Sequence, residues 1–339
     1  MRTSINLAIW LLYAAAHGAT VVTHTIREDG SGSYTNLAQW EAAQQRDLVS
    51  ADEIEMAVIE GTWNNPDTTA LTISGWTTDA TRYIVITNST SKHDGKRYGS
   101  ASSAYRLQTT NAAVCTINEE FVRIYGLQIS VQSATSLLPI FGGDTLDYDN
   151  SIIVGDCIIS GTSAGASGAG VGFYFSDYDV NLTVYNTLCH GLTNTAGTDG
   201  RFVRAIGRTH LYNCTGVANA YDYWFTDGTA VATNCVSQDS VNDGFHASFT
   251  GDYNCSDISS DAPGSNSVNG YEIPFVSETA GSQDFHLSIS ATSVIGAGID
   301  SPTSLYSTDI DGQTRSDWDI GADEYIAASS GQVIVVVTQ

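Results

Sequence analysis

The segment "LYNCTG" (211–216) is followed by "ATNCVS" (232–237) and "DYNCSD" (252–257), so Asn-Cys pairs stand at 213–214, 234–235 and 254–255, in steps of 21 and 20 residues. A recurrence near twenty is a solenoid period, in which each repeat is a structural turn that buries its apolar face only against its neighbours. Upstream, "VYNTLCHG" (184–191), "IVGDCIISG" (153–161) and "VRIYGLQIS" (122–130) show the same short β-branched run, then a Gly, Asn or Cys, then small polar residues. The wider gaps there fit loops of varying length between equivalent strands. These runs are rich in Val, Ile, Tyr and Thr and are bounded by turn formers, so they predict strands. Helical periodicity is absent from residue 70 to 300. With 32 glycines and 5 prolines, the pattern predicts an all-β chain wound as a single-stranded right-handed parallel β-helix. Cys then serves as a small apolar interior residue, and Asn is expected to bond through its amide to the next turn. Stacked free thiols are the expectation for Cys115, Cys157, Cys189, Cys214, Cys235 and Cys255. Disulfides stay open as the alternative, because equivalent residues one coil apart lie about 4.8 Å from each other.

A solenoid has open ends with unpaired strand edges. "SYTNLAQWEAAQQRDL" (33–48) supplies a cover for the first: Asn36 and Gln39 make a capping-box-like start, and Leu37, Trp40, Ala43 and Leu48 give an apolar face. An amphipathic helix near 34–47 is therefore expected to plug the N-terminal end. "MRTSINLAIWLLYAAAHGAT" (1–20) has the basic start, apolar stretch and small residues of a secretory signal peptide, read as residues 1–19. That places the chain outside the cell or on its surface. The 37 acidic and 13 basic residues give a net charge of −24. Such a field repels phosphate backbones and anionic lipids, which excludes nucleic acid as a partner, and nothing in the sequence predicts membrane insertion.

"TIREDGSGSYTNLAQWEAA" (25–43) is similar to the start of many β-helix proteins, the pectin methylesterases among them. "DFHLSISATSVIGAGID" (284–300) and "TDIDGQTRSDWDIGADEY" (308–325) resemble the terminal signature of secreted and phage-borne right-handed β-helix repeat proteins of the pectin-lyase-like superfamily. The resemblance spans nearly all of 23–325. It implies a β-helix over 20–325 with a C-terminal capping segment near 284–325 and a tail at 326–339, present as a monomer or homotrimer. It also implies a polysaccharide or cell-surface glycan as partner, and a virion location if the gene is phage-borne. It leaves the reaction open, since one architecture hosts many activities. Locally, "HLYNCTGVANAYDYWFTDGTAVATNC" (210–235) is similar to the methylesterase coil that carries an aspartate nucleophile, at the place of Asp222. No Gln-Asp pair stands one coil earlier, where "TDGRFV" (198–203) is found, and no Gly-Arg-Pro-Trp segment follows. Methylesterase activity is not expected.

Sugar-cleaving β-helices use carboxylates from neighbouring coils, as an acid and base pair or as calcium ligands. "YDYWFTDG" (221–228) and "VNDGFHAS" (241–248) combine Asp222, Asp227 and Asp243, the candidate catalytic residues, with aromatic side chains. Tyr223, Trp224, Phe245 and His246, with Arg201 and Arg204 from "DGRFVRAIGR" (199–208), are the candidate substrate-binding residues. Competing readings are Asp-Gly turns, aromatics stacked in the interior, and arginines paired with local acids. His190 and His210 lack partners at ligand spacing, and no metal site is predicted. Ca²⁺ is the cofactor the acidic loops would admit, although an EF-type alignment on Gly312 places Trp318 where a Glu is required. The stretch 308–325 then reads as a fold terminator, with Asp309 and Asp311 setting a turn at Gly312 and Ile320, Ala322 and Tyr325 lying across the last coil. Three functions follow in order: a glycan-binding surface protein, adhesin-like or fibre-like; a polysaccharide lyase or glycoside hydrolase acting on an acidic glycan; and a structural spacer.

Overall fold

A computed structural model describes residues 18–133, 137–144, 146, 150–163, 165, 169–205, 207–300 and 305–327. Most of the predicted signal peptide and the apolar end at 331–339 lie outside the described residues. The chain is a parallel β-helix. From Ile84 to Phe245 each coil passes from a first sheet to a second, then to a third, and back to the first. The first sheet stacks nine strands, from Thr20–Ile26 and Glu53–Ile59 to Thr250–Asp252; the second stacks eight, from Arg106–Thr110 to Val268–Asn269; the third stacks seven, from Leu71–Ile73 to Asp243–Phe245. Pairing within these sheets is parallel, and an antiparallel pair, Phe275–Ser277 with Asp284–Leu287, follows.

Register through Val122, Ile152, Leu182, Thr209 and Ala230 gives coils of 30, 30, 27 and 21 residues, and Val231 pairs with Thr250, a coil of 19. The coils shorten toward the C-terminus as their loops shrink, which is why the sequence period is clear only there.

The Asn of the repeat marks the corner between the first and second sheets. Asn186, Asn213 and Asn234 adopt left-handed backbone (φ 44, 48 and 56°), as do Gly126 and Asp156 in the preceding coils (φ 74 and 53°). Most side chains resist that conformation, and Asn and Asp tolerate it. The next residue points inward, and register aligns Leu127, Cys157, Thr187, Cys214, Cys235 and Asn254 on one internal row. Hydrogen bonding follows this row: Cys157 Sγ, Thr187 Oγ1, Cys214 Sγ and Cys235 Sγ each donate to the carbonyl two residues earlier, at 3.2, 2.9, 3.4 and 3.5 Å. All six cysteines are free and buried.

One sequence expectation needs correcting. The third Asn-Cys pair is out of register by one residue, because Val236 pairs with Cys255. Asn254 takes the interior place of a cysteine, donating to Ala232 O and accepting from Cys235 N–H, both at 2.9 Å, while Tyr253 holds the left-handed corner (φ 58°). Cys255 turns outward.

At the N-terminal end the helix Leu37–Gln44 covers the interior, with Asn36 Oδ1 accepting from Gln39 N–H. Trp40 is fully buried beside Trp76, and its indole donates to Glu55 Oε1 at 2.7 Å. Glu55, also fully buried, pairs with Arg46 at 2.8 Å, so one internal carboxylate anchors the cover.

The C-terminal region does not lie across the last coil. Asp261 and Ala262 close that end: Asp261 accepts the Phe245 N–H left unpaired where the third sheet stops, and Ala262 joins the core. Residues 273–300 and 305–325 instead run back along the flank and cover the outer face of the second sheet. Ile158, Leu188, Val217, Val236 and Cys255 project outward from it and are buried by Ile273, Phe285, Leu287, Val294, Ile310, Ile320 and Ala322. The corner asparagines serve this cover as well as one another. Asn186 Nδ2 donates to Thr308 O at 2.6 Å, Asn213 Nδ2 to Asp319 O and Gly321 O at 2.9 and 3.0 Å, and Asn234 Nδ2 to Ile299 O at 2.7 Å.

This cover has little regular structure, so its buried backbone N–H groups need side-chain acceptors. The carboxylates of 308–325 supply them. Asp309 accepts from Gln313 and Glu324 N–H, Asp319 from Gly296 and Tyr325, Asp323 from Leu287, and Glu324 from Ser316, Asp317 and Asp319. Arg315 is buried among them, donating to Gly321 O, Ala322 O and Asn186 Oδ1 and facing Glu324 at 3.3 Å.

Candidate functional site

The third sheet has no such cover among the described residues, and its outward side chains form two rows. The pairing skips Gly172, Phe202, Asp222 and Gly244, so simple alternation does not hold there, and side chains three residues apart, such as Arg201 and Arg204, are both partly exposed. Register places Arg201, Tyr221 and Asp243 in adjacent coils on one row. Tyr174, Arg204 and Trp224 stand in register on the second, which His246 extends by packing its ring 5.0 Å from Trp224. The Arg204 guanidinium lies 4.3 Å from the Tyr174 ring centre. That of Arg201 bridges the two rows, 5.3 Å from Tyr221 and 5.4 Å from Trp224. All of these residues are partly exposed. Three steps between coils span about 14 Å.

Four of the predicted binding residues, Arg201, Arg204, Trp224 and His246, thus share one open face. Tyr223 and Phe245 do not. They point into the solenoid, 0% and 3% exposed, and stack at 4.4 Å on the internal ladder that begins with Phe141 and Phe173. Burial of a large ring outweighs anything it would gain on the surface. Arg208 leaves the cluster too, because it starts a strand of the first sheet.

The predicted catalytic aspartates go to three different places. Asp222 is fully buried and faces the corner between the second and third sheets, where it accepts from Asn219 Nδ2 at 2.7 Å and from the hydroxyls of Ser237 and Ser240 at 2.6 Å. Gly216 makes room for it: a Cβ there would lie 2.4 Å from the carboxylate. Burial pushes its pKa up to about 7, against the lowering effect of those hydrogen bonds. It is a structural acid and not an exposed nucleophile. Asp227 is exposed and accepts its own neighbour's N–H, from Gly228, at 2.7 Å, which is the turn that an Asp-Gly pair makes.

Asp243 sits at the end of the Arg201–Tyr221 row, close enough to Asp261 for its charge to act on that carboxyl group. Burial raises the Asp261 pKa, hydrogen bonds from Ser256 and the Phe245 N–H oppose the rise, and the charge of Asp243 adds to it. Two carboxyl groups, one with its pKa raised, therefore stand at the end of this row. Sequence reasoning missed Tyr174 and Asp261. Tyr174 lies two coils before the repeat is regular, and Asp261 belongs to a loop with no repeat counterpart.

No helix among the described residues is long and apolar enough to cross a membrane. No family model, curated protein or solved structure matches the chain.

Proposed function

We propose that the chain binds an anionic saccharide along the open face of the third sheet. The observation that carries this is the row Tyr174–Arg204–Trp224–His246, flanked by Arg201 between two aromatic rings. Aromatic faces pack against the apolar side of a sugar ring, and guanidinium groups hold carboxylates or sulfates in a fixed fork geometry. Arg201 is paired with Asp199 at 2.5 Å, so Arg204, whose Nε donates to Thr226 Oγ1 at 3.3 Å, is the guanidinium offered to an anion on this face. The resemblance to secreted β-helix proteins supports the same reading.

The test is a panel of uronate-containing, sulfated and neutral oligosaccharides, titrated while Trp fluorescence and heat are followed. Saturable binding confined to the acidic members is expected. A panel with no binding at millimolar concentration contradicts the proposal. The Asp243–Asp261 pair favours a second reading, hydrolysis or elimination of the bound glycan, with the two carboxyl groups as its acid and base. Release of reducing ends, or absorbance at 235 nm from an unsaturated uronate, would support it, and intact glycan after prolonged incubation removes it.

A further inference from the structure

Separate from the open face, the flank cover brings His286, Asp311 and Asp323 together, with one ligand atom of each lying within 4.8 Å of the others. His286 comes from the strand Asp284–Leu287 and both carboxylates from the terminal stretch. The imidazole is already oriented: its Nδ1 is 2.7 Å from Asp284 Oδ1, whose other oxygen is held by Lys96 at 3.2 Å. A carboxylate behind one ring nitrogen fixes the tautomer and points the other lone pair forward, as in histidines that ligate metals. Here that forward atom is Nε2. It is buried without a hydrogen-bond partner and stands 3.6 Å from Asp311 Oδ2, too far for a hydrogen bond. Asp323, 7% exposed, is fixed by the Leu287 N–H at 2.7 Å. Gly95 faces the group, and a Cβ there would lie 2.6 Å from Nε2 and 3.2 Å from Asp311 Cβ. Glycine therefore leaves open the space next to the free nitrogen.

We propose that His286, Asp311 and Asp323 bind a divalent transition-metal ion of the zinc or manganese class, oriented by Asp284, and that this ion ties two segments of the flank cover together. One imidazole with two carboxylates suits such an ion, whereas Ca²⁺ takes an all-oxygen shell. The ion would join the strand bearing His286 to the terminal stretch beneath the loop that carries Gly95.

The experiment uses the full chain, stripped with chelator and titrated with Zn²⁺ and with Mn²⁺ by calorimetry, with Co²⁺ absorption reporting the ligand field. One equivalent is expected to bind and to raise the melting temperature. Asp284→Asn should weaken binding by about 10- to 100-fold, and His286→Gln or Asp311→Asn should weaken it further with the far-UV circular dichroism unchanged. Absence of stoichiometric uptake overturns the proposal, and so does uptake that His286→Gln leaves unchanged. If His286→Gln does not fold, Asp311→Asn decides, since its carboxylate is partly exposed and its loss need not disturb the core. Displacement of Zn²⁺ by an equal concentration of Ca²⁺ would overturn the choice of metal class.

Discussion

The outer faces of the second and third sheets are built on the same coils and have opposite fates. On the second sheet the outward residues are aliphatic or small, Ile158, Leu188, Val217, Val236 and Cys255, and some fifty residues of chain are committed to covering them. On the third the outward residues are Tyr174, Arg201, Arg204, Tyr221, Trp224 and His246, and nothing among the described residues lies over them. A chain that covers one apolar flank and leaves an aromatic and cationic one in contact with water has sorted its faces by chemistry. Exposed aromatic and charged groups on a rigid scaffold mark a binding surface more often than an accident of packing.

The comparison breaks most severely at Arg315. Its guanidinium joins the cover to Asn186 and holds Glu324 in a buried pair. Arg315→Ala should cost about 3–5 kcal/mol, because it strands a buried carboxylate and several carbonyls. Urea unfolding would show it, and a loss under about 1 kcal/mol would mean that the cover is held elsewhere. Next comes a matched pair. Leu188→Ala on the covered face should cost about 2–5 kcal/mol. Trp224→Ala on the open face should cost about 1 kcal/mol or less. Similar losses at the two positions would erase the distinction between the faces.

The last effect concerns pH. Asp222 has its pKa raised from 3.8 to about 7 in the folded chain, so the fold favours its protonated form. The stability this group contributes is complete below about pH 4 and is lost progressively as pH rises toward 7. Asp222→Asn, which keeps the shape and lets its amide donate to the Ser237 and Ser240 hydroxyls instead of accepting from them, should flatten that decline, by at most about 1.4 kcal/mol per pH unit between pH 4.5 and 7. The measurement is the denaturant midpoint at the two pH values. A steeper decline in the variant would show that the carboxylate is ionised when folded. Asp309 and Asp323, whose pKa values burial also raises, to about 8 and about 6, push in the same direction, so a residual slope is expected.

The repeat was legible because its corner has a conformational requirement that few residues meet, and Asn213 and Asn234 announce it. The slip at Asn254 was not, since a coil of 19 residues, one fewer than the step between the Asn-Cys pairs, leaves a similar-looking triplet in sequence. Tyr223 and Trp224 are adjacent in sequence and opposite in space, and composition alone put both in one groove. The flank cover was hidden for a different reason. Contacts such as Asn213 with Asp319 and Gly321 join residues more than a hundred positions apart and follow no period. The terminal stretch was recognised as a finishing element from its residues, yet its carboxylates do more than set a turn: they satisfy the backbone of the cover, and two of them meet His286.

The central claim is that the open face of the third sheet is the binding surface. It is tested most directly by titrating one acidic oligosaccharide against the wild-type chain, Trp224→Ala and Leu188→Val. The account predicts that Trp224→Ala loses binding at unchanged fold while Leu188→Val retains it. Equal affinity in wild type and Trp224→Ala would contradict it.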